Sequence, residues 1–315
     1  MQKISLLLLA ILILNSCKKE EEDSRVFNEP NVTLDFFENN LNNSKQVFTV
    51  DLTNTTWLSG SKGTYIIISP CSFLDVDGNE VLGEIEFELI EAQTNIDMLK
   101  LNRPTFTKDG QLLVSGGVLY INANKDGEPL NINPNCALNV YMPDVNSNYA
   151  GGDMQYFSGE TDDNGVFAWD LEDDTVTVQA WDNDNGDAMV YGFNVDSVGW
   201  INCDYFYNWQ GDLTGVEVQM PQGYNGSNSQ VFIHYNSINS IAGLNDFNQD
   251  GIFDLGSGYE TPVGMGVKFI ALSGDSLSGY YFDTVSSIIS LNHNEVISIM
   301  NPISSTDLQD LLNNL

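Results

Sequence analysis

The chain has 315 residues, 42% of them apolar, which is enough for one large or two ordinary domains with real cores. Its 44 acidic residues face 11 basic ones for a net charge of −33, and from Asp126 onward Lys268 is the only base. A field of that sign repels phosphate backbones and anionic headgroups, so neither nucleic-acid binding nor charge-driven membrane adsorption is expected, while cations are attracted.

The first element in the chain is a targeting signal. Lys3 supplies positive charge, Ile4 to Leu14 is an unbroken apolar run, and Leu14-Asn15-Ser16-Cys17 closes it. The run is shorter than the ~20 residues a membrane span needs. A basic start, a short apolar stretch and small residues before the cut are the pattern of a secretory signal. Leu14 and Ser16, three and one residues before Cys17, resemble the lipobox of bacterial lipoproteins. That resemblance implies a signal peptide over 1–16, cleavage before Cys17, and attachment of the chain to the membrane by acyl groups on Cys17. The following Lys18-Lys19-Glu20-Glu21-Glu22-Asp23 is similar to the acidic tag that sends Bacteroidota lipoproteins to the outer face of the outer membrane. It implies display at the cell surface. Residues 17–44 read as a polar, disordered tether, with one short strand around Val32 to Phe37.

From Gln46 the pattern becomes β. Val47 to Leu52 alternates, Thr64 to Ile68 is β-branched and aromatic, and Glu84-Ile85-Glu86-Phe87-Glu88-Leu89 alternates polar and apolar with period two. Leu112 to Ile121, interrupted by Gly116-Gly117, and Leu130 to Ile132 continue the series. An Asn-, Ser- and Gly-rich stretch at 143–152 marks a boundary. Beyond it Val166 to Trp169, Thr175 to Trp181, Met189 to Phe193, Val216 to Met220, Gln230 to Tyr235, Gly266 to Leu272 and Val296 to Met300 read as further strands. The segment Trp181 to Asp187 reads as a tight hairpin turn. Near the C-terminus Leu308, Leu311, Leu312 and Leu315 share one helical face, and Thr306 and Gln309 have the spacing of a capping box. The fold class is therefore all-β. It comprises a β-sandwich-like domain over 45–145 and a second β-rich, sandwich-like domain over 146–315, which ends in a short helix packed on it.

Three stretches carry a resemblance over most of the mature chain. Ser61 to Pro70 with Phe73, Gly83 to Glu91, and Leu113-Val114-Ser115-Gly116-Gly117 are similar to a module of uncharacterised Bacteroidota surface proteins, a divergent ZU5-like β-sandwich. Met154 to Glu160 and Gly199 to Asp204 look like recurring elements of the same proteins. The resemblance implies a location and an interaction fold but no chemistry.

Cys17 being assigned to lipid, three cysteines remain, so an oxidising compartment allows one pair and leaves one thiol over. Cys71 and Cys136 both flank prolines at strand edges and are the favoured pair, leaving Cys203. The sharpest candidate site is Asp246, Asn248, Asp250, Ile252 and Asp254. Side-chain oxygens at positions 1, 3, 5 and 9, a backbone carbonyl at 7 and Gly251 at 6 are the pattern of a Ca²⁺ loop, although position 12 is Ser257 with Glu260 nearby. The alternative reading is an Asn/Asp/Gly turn in a hairpin. Trp200, Tyr205, Tyr207 and Trp209 form an aromatic stretch that would stack on sugar rings if exposed, or pack a core if not. Only His234 and His293 are available as imidazoles, and no nucleophile elbow or phosphate-binding loop occurs. The expectation is a non-catalytic surface lipoprotein acting in adhesion or in protein or glycan binding. Two readings compete with it. One is a surface polysaccharide-active enzyme or accessory glycan-binding protein, and the other is a structural subunit of an outer-membrane assembly.

Overall fold

In the computed structural model, residues 32–145, 154–162, 165–175, 177–183, 186–248, 251–275 and 279–315 are described. The described protein is mostly β, its sheets antiparallel except for one parallel pair between Val216–Gln219 and His293–Val296, and it carries three short α-helices. In chain order, helix α1 (Val32–Ser44) precedes β1 (Gln46–Asp51), β2 (Thr56–Ser59), β3 (Tyr65–Ile68) and β4 (Glu84–Ala92). Helix α2 (Asn95–Lys100) then leads to β5 (Leu113–Lys125), β6 (Leu138–Pro143), β7 (Gln155–Thr161), β8 (Phe167–Thr175), β9 (Thr177–Asn183), β10 (Gly186–Val195) and β11 (Gly199–Phe206). The second half holds β12 (Val216–Gln219), β13 (Ser229–Tyr235), β14 (Ile241–Gly243), β15 (Asp246–Phe247), β16 (Ile252–Asp254), β17 (Gly266–Asp275), β18 (Gly279–Ile288), β19 (His293–Val296), β20 (Asn301–Ile303) and helix α3 (Ser305–Asn313).

Four main sheets result. The first runs β1-β4-β5-β11-β7-β8, the second β9-β10-β6-β3-β2, the third β14-β13-β17-β18-β20 and the fourth β15-β16-β12-β19. Sheets one and two close a sandwich over Phe87, Leu89, Ile121, Ile66, Val140 and Phe193. Sheets three and four close a second over Val231, Ile233, Phe269, Val218 and Phe253. The two sandwiches face each other through a third core. There Ile90, Val118, Phe157 and Trp169 of sheet one meet Phe232, Ile270 and Leu272 of sheet three, with residues of all three helices. Sheets one and three are thus covered on both faces. This is why β4 alternates only at its start and ends in the buried run Leu89 to Ala92.

Strand pairing corrects the expected boundary at 145/146. β6 pairs with β10 and β5 with β11, so both partners of the first sandwich lie on both sides of it. The first sandwich runs from Gln46 to Phe206. The tether is also corrected at its C-terminal end, since 32–44 is helix, not strand or coil. Asn-rich sequence is a poor helix former alone. Here burial decides: Phe36 and Phe37 are inside, edge-on to Tyr280 and Phe232 at 5.7 and 6.0 Å. The rest of the expected tether, 17–31, lies outside the described residues. Helix α3 packs Leu308 and Leu312 into the shared core as its spacing predicts. Its cap is Ser304, whose hydroxyl accepts the Asp307 N–H, two residues before the capping box read from sequence.

Two buried acids show how this acidic chain treats carboxylates inside. Glu91 of β4 turns towards the β2–β3 turn, where its oxygens accept the N–H groups of Lys62 and Thr64 at 2.9 and 3.0 Å and the Gln46 amide at 2.9 Å. Gly60 lies so close that a Cβ there would strike the carboxylate. The carboxylate therefore clamps sheet two to sheet one, and charge-assisted bonds to backbone N–H are the strong kind. Asp204 is fully buried on β11 beside a bulge, where Asn202 donates to it at 2.6 Å. Burial pushes its pKa up to about 8, against the hydrogen bonds that lower it.

The sandwiches are joined by the β13–β14 turn. Buried Asn239 donates to the carbonyls of Gln93 and Ser115 at 3.0 and 2.7 Å and accepts the Asn95 N–H at 2.7 Å. Its own carbonyl accepts the Ser115 N–H at 2.9 Å. Next to it Ser240 donates to the Leu113 carbonyl at 2.7 Å and meets the Thr105 hydroxyl at 2.6 Å.

Glu91→Ala leaves two backbone donors without an acceptor and should lower unfolding free energy by about 2–5 kcal/mol, read from urea denaturation, with Glu91→Gln losing less. Asp204 holds its proton in the native state while the unfolded state releases it above the ordinary aspartate value of 3.8. Stability from this site therefore falls as pH rises from about 4 to about 8 and is level above that. Asp204→Asn should melt increasingly above the parent across that window. A constant difference at every pH would contradict the buried neutral carboxyl.

Candidate functional site

Four of the five residues proposed for calcium, Asp246, Asn248, Ile252 and Asp254, are described, and they lie on a hairpin. Asp246 and Asp254 sit opposite each other in the β15–β16 hairpin, and Asp254 is opposite Glu217 of β12 on its other side. The hairpin satisfies itself: Asn248 N–H donates to the Ile252 carbonyl at 3.1 Å, and the Asn248 side chain accepts the Ile252 N–H at 3.2 Å. The Asp254 carboxylate accepts the Gly256 N–H at 2.7 Å, and its pKa is raised by burial, with Asp246 and Glu217 adding to the rise. Asp250 lies outside the described residues. Among the described residues no three His, Cys, Asp or Glu side chains converge as metal ligands.

The four aromatic candidates are not one platform. Trp200 is half-buried, its ring 4.2 Å from the Arg103 guanidinium, which also lies 4.5 Å from the Phe167 ring. Desolvation pushes Arg103 down to about 10, and its Nη1 donates to the carbonyls of Leu101 and Asn102 at 3.1 and 2.9 Å. That stack occupies the Trp200 face that a sugar would need. Tyr205 packs against the first core. Tyr207 and Trp209 lie with rings stacked at 6.1 Å, and Trp209 is 37% exposed, its indole N–H on the Asp212 carbonyl.

The cysteines favoured as a pair, Cys71 and Cys136, are joined, with Cα atoms 5.8 Å apart. Cys203 is a buried free thiol whose pKa burial raises well above its ordinary value. Cys17 lies outside the described residues. His234 sits inside β13, its Nε2 2.9 Å from the Asn95 amide and its pKa lowered by burial. His293 lies flat on Phe269 at 5.3 Å, with Nδ1 accepting the Ser290 N–H at 3.2 Å.

What the sequence did not show is a cleft where the sandwiches meet. A cavity of about 370 Å³ has Pro104, Phe106, Val166 and Phe167 from the first sandwich as one wall and Leu255, Gly256 and Tyr259 from the second as the other. Asp162, Asn245 and Asp246 also line it. A second cavity of about 360 Å³ shares Leu255, Gly256 and Tyr259 and adds Glu217, Asp254, Asn292 and His293. Tyr259 thus stands between the two. Its ring meets Phe106 edge-on at 5.6 Å and its hydroxyl donates to the Lys108 carbonyl at 3.4 Å. Burial raises its pKa, and the charges of Asp162 and Asp109 raise it further. The turn at Gly110, with φ +80°, approaches the Gly258 carbonyl so closely that a Cβ would collide with it. Contact between the walls is therefore backbone on backbone. No signal in the sequence marks this cleft, because its lining comes from four separated stretches.

No family model matches the chain, and no curated protein matches it. Among solved structures it is similar to Gamma-CGTASE from alkalophilic Bacillus clarkii, at 9% identity and a TM-score of 0.19, over 79% of this chain and 40% of that one. The chain therefore spans less than half the length of that protein, and a TM-score this low does not establish a shared fold.

Proposed function

We propose that the protein is a non-catalytic lipoprotein, anchored through Cys17 in the outer membrane and displayed at the cell surface, where it binds a protein or glycan. The observation that carries the binding role is the cleft between the sandwiches. Ligand sites favour such junctions, and a cavity of a few hundred Å³ with apolar walls and a few polar groups is their usual form. The Cys71–Cys136 bond supports export, because disulfides persist in oxidising compartments. The stacking of His293 on Phe269 supports a wall role for the one imidazole at the cleft. The polysaccharide-active or accessory glycan-binding reading retains one specific support, the exposed Trp209 stacked on Tyr207. Turnover of any member of a glycan panel by the purified protein would favour that reading over ours.

Calcium at 246–254 is part of the proposal. It rests on the ligand spacing in the sequence; the strand register sets Asp246 and Glu217 opposite Asp254 on either side without bringing the three together as a ligand group. Like charges so placed destabilise a sheet, and a divalent ion would relieve them.

Two measurements check these statements. Cys17→Ser should move the protein from the membrane fraction to the soluble fraction, and protease added to intact cells should degrade only the anchored parent. Millimolar Ca²⁺ should raise the melting temperature of the parent and leave Asp250→Ala unmoved; an unmoved parent removes the ion from the proposal.

A further inference from the structure

We propose that the cleft around Tyr259 selects a primary alkylammonium group, an aliphatic chain ending in a charged amine. This deepens the binding role and rests on it. The starting point is the cavity, not the number of acids nearby. Phe106, Phe167 and Tyr259 give it aromatic walls, and Pro104, Val166 and Leu255 add aliphatic surface. Such walls suit a chain of methylenes, and ring faces attract a cation at their centre.

The polar groups set the sign. Asp162 and Asp246 are the charged residues of the larger cavity, Glu217 and Asp254 are the carboxylates of the smaller one, and neither is lined by Lys or Arg. Asp246 is exposed, with no hydrogen bond or ion pair among the described residues, and it stands opposite Asp254. The nearest lysine in sequence on the facing wall, Lys108, is engaged by Asp170. The one guanidinium near the larger cavity, Arg103, lies over the Phe167 ring and donates to the Leu101 and Asn102 carbonyls, so the charged groups that line the cavity are acids, and a neutral ligand would leave the Asp246 charge unanswered. An alkylammonium satisfies both walls at once, with its chain along the rings and its head at the carboxylates. The surrounding charge of −33 raises the local concentration of such a ligand before it binds.

Two sources present this chemistry, a free aliphatic polyamine and a lysine side chain on a protein. The test is calorimetric titration of the purified full chain with 1,5-diaminopentane, with a peptide carrying a single lysine between neutral residues, and with 1,5-pentanediol. Saturable binding of the diamine, or of the diamine and the peptide, with none of the diol is the expected result. Binding of the diamine alone assigns a small solute, and binding of both assigns a protein side chain. Asp246→Asn should weaken binding roughly two- to fivefold, the range for one exposed charge pair. Tyr259→Leu should weaken it as well, through loss of the ring, while Glu128→Gln on a distant exposed turn should leave it unchanged. Equal binding of diol and diamine, no saturation by about 10 mM (an affinity worth less than about 3 kcal/mol), or a diamine affinity indifferent to both cleft variants would overturn the proposal. Saturable binding of a neutral oligosaccharide, unaffected by Asp246→Asn, would overturn it while leaving the cleft as the binding site. Membrane anchoring is read separately, so its failure is not confused with this one.

Discussion

The geometry of the molecule depends on the buried turn that carries Asn239. Its side chain meets three backbone groups of the first sandwich and its carbonyl a fourth. Such a contact is favourable only when every member is satisfied, because an orphaned buried polar group costs about 1–3 kcal/mol. All four of those bonds are made between chain segments more than a hundred residues apart. The apolar core shared by the sandwiches supplies the larger area, but apolar contact is non-directional. The hydrogen bonds at Asn239 and Ser240 are what fix the register of one sandwich against the other, and so the spacing of the cleft walls.

A second constraint is charge. A chain with four acids for each base must keep carboxylates in water, and most of them stand on exposed positions. The two that enter the interior are handled in opposite ways. Glu91 is surrounded by N–H donors that serve as its countercharge. Asp204 has no cation beside it, and burial outweighs its hydrogen bonds and pushes its pKa up. Arg103, beside the shared core, rests against Phe167 and Trp200 instead of a carboxylate. Desolvation explains the choice: ring faces attract the guanidinium without bringing a second charge into the interior.

How much of this was readable in the sequence follows from the range of the interaction concerned. Period-two alternation from Glu84 to Leu89 marked a strand with one wet face, and the strand has that face until Ile90. The leucine spacing of the last helix and the proline-flanked cysteines were likewise local signals, and each led to the element the structure contains. The helix over Val32–Ser44 was missed because its Asn and Glu content speaks for coil; only Phe232 and Tyr280, some two hundred residues on, give Phe36 and Phe37 a place to bury. The domain boundary failed for a related reason. An Asn- and Gly-rich stretch can be a linker or a connection between two sheets of one sandwich, and only the pairing of β5 with β11 tells them apart. Among candidate site residues, Trp200 could be read as a sugar platform or as core, and only Arg103, remote in sequence, decides it by occupying its face. The cleft itself left no trace, since no two of its walls are neighbours in the chain.

The many exposed acids and the few in the cleft act on different scales. At physiological salt the field of a surface carboxylate fades over about 8 Å, so the bulk of the −33 charge steers a ligand only as it arrives. Asp162 and Asp246 differ in position, not in kind. They line a cavity with Phe106, Phe167 and Tyr259 while their own side chains remain exposed to water. Because one wall comes from each sandwich, anything that bridges them also adds to the contacts that hold the sandwiches together. Occupancy of the cleft and stability of the junction at Asn239 are then linked, since a ligand that binds only the joined state stabilises that state by mass action.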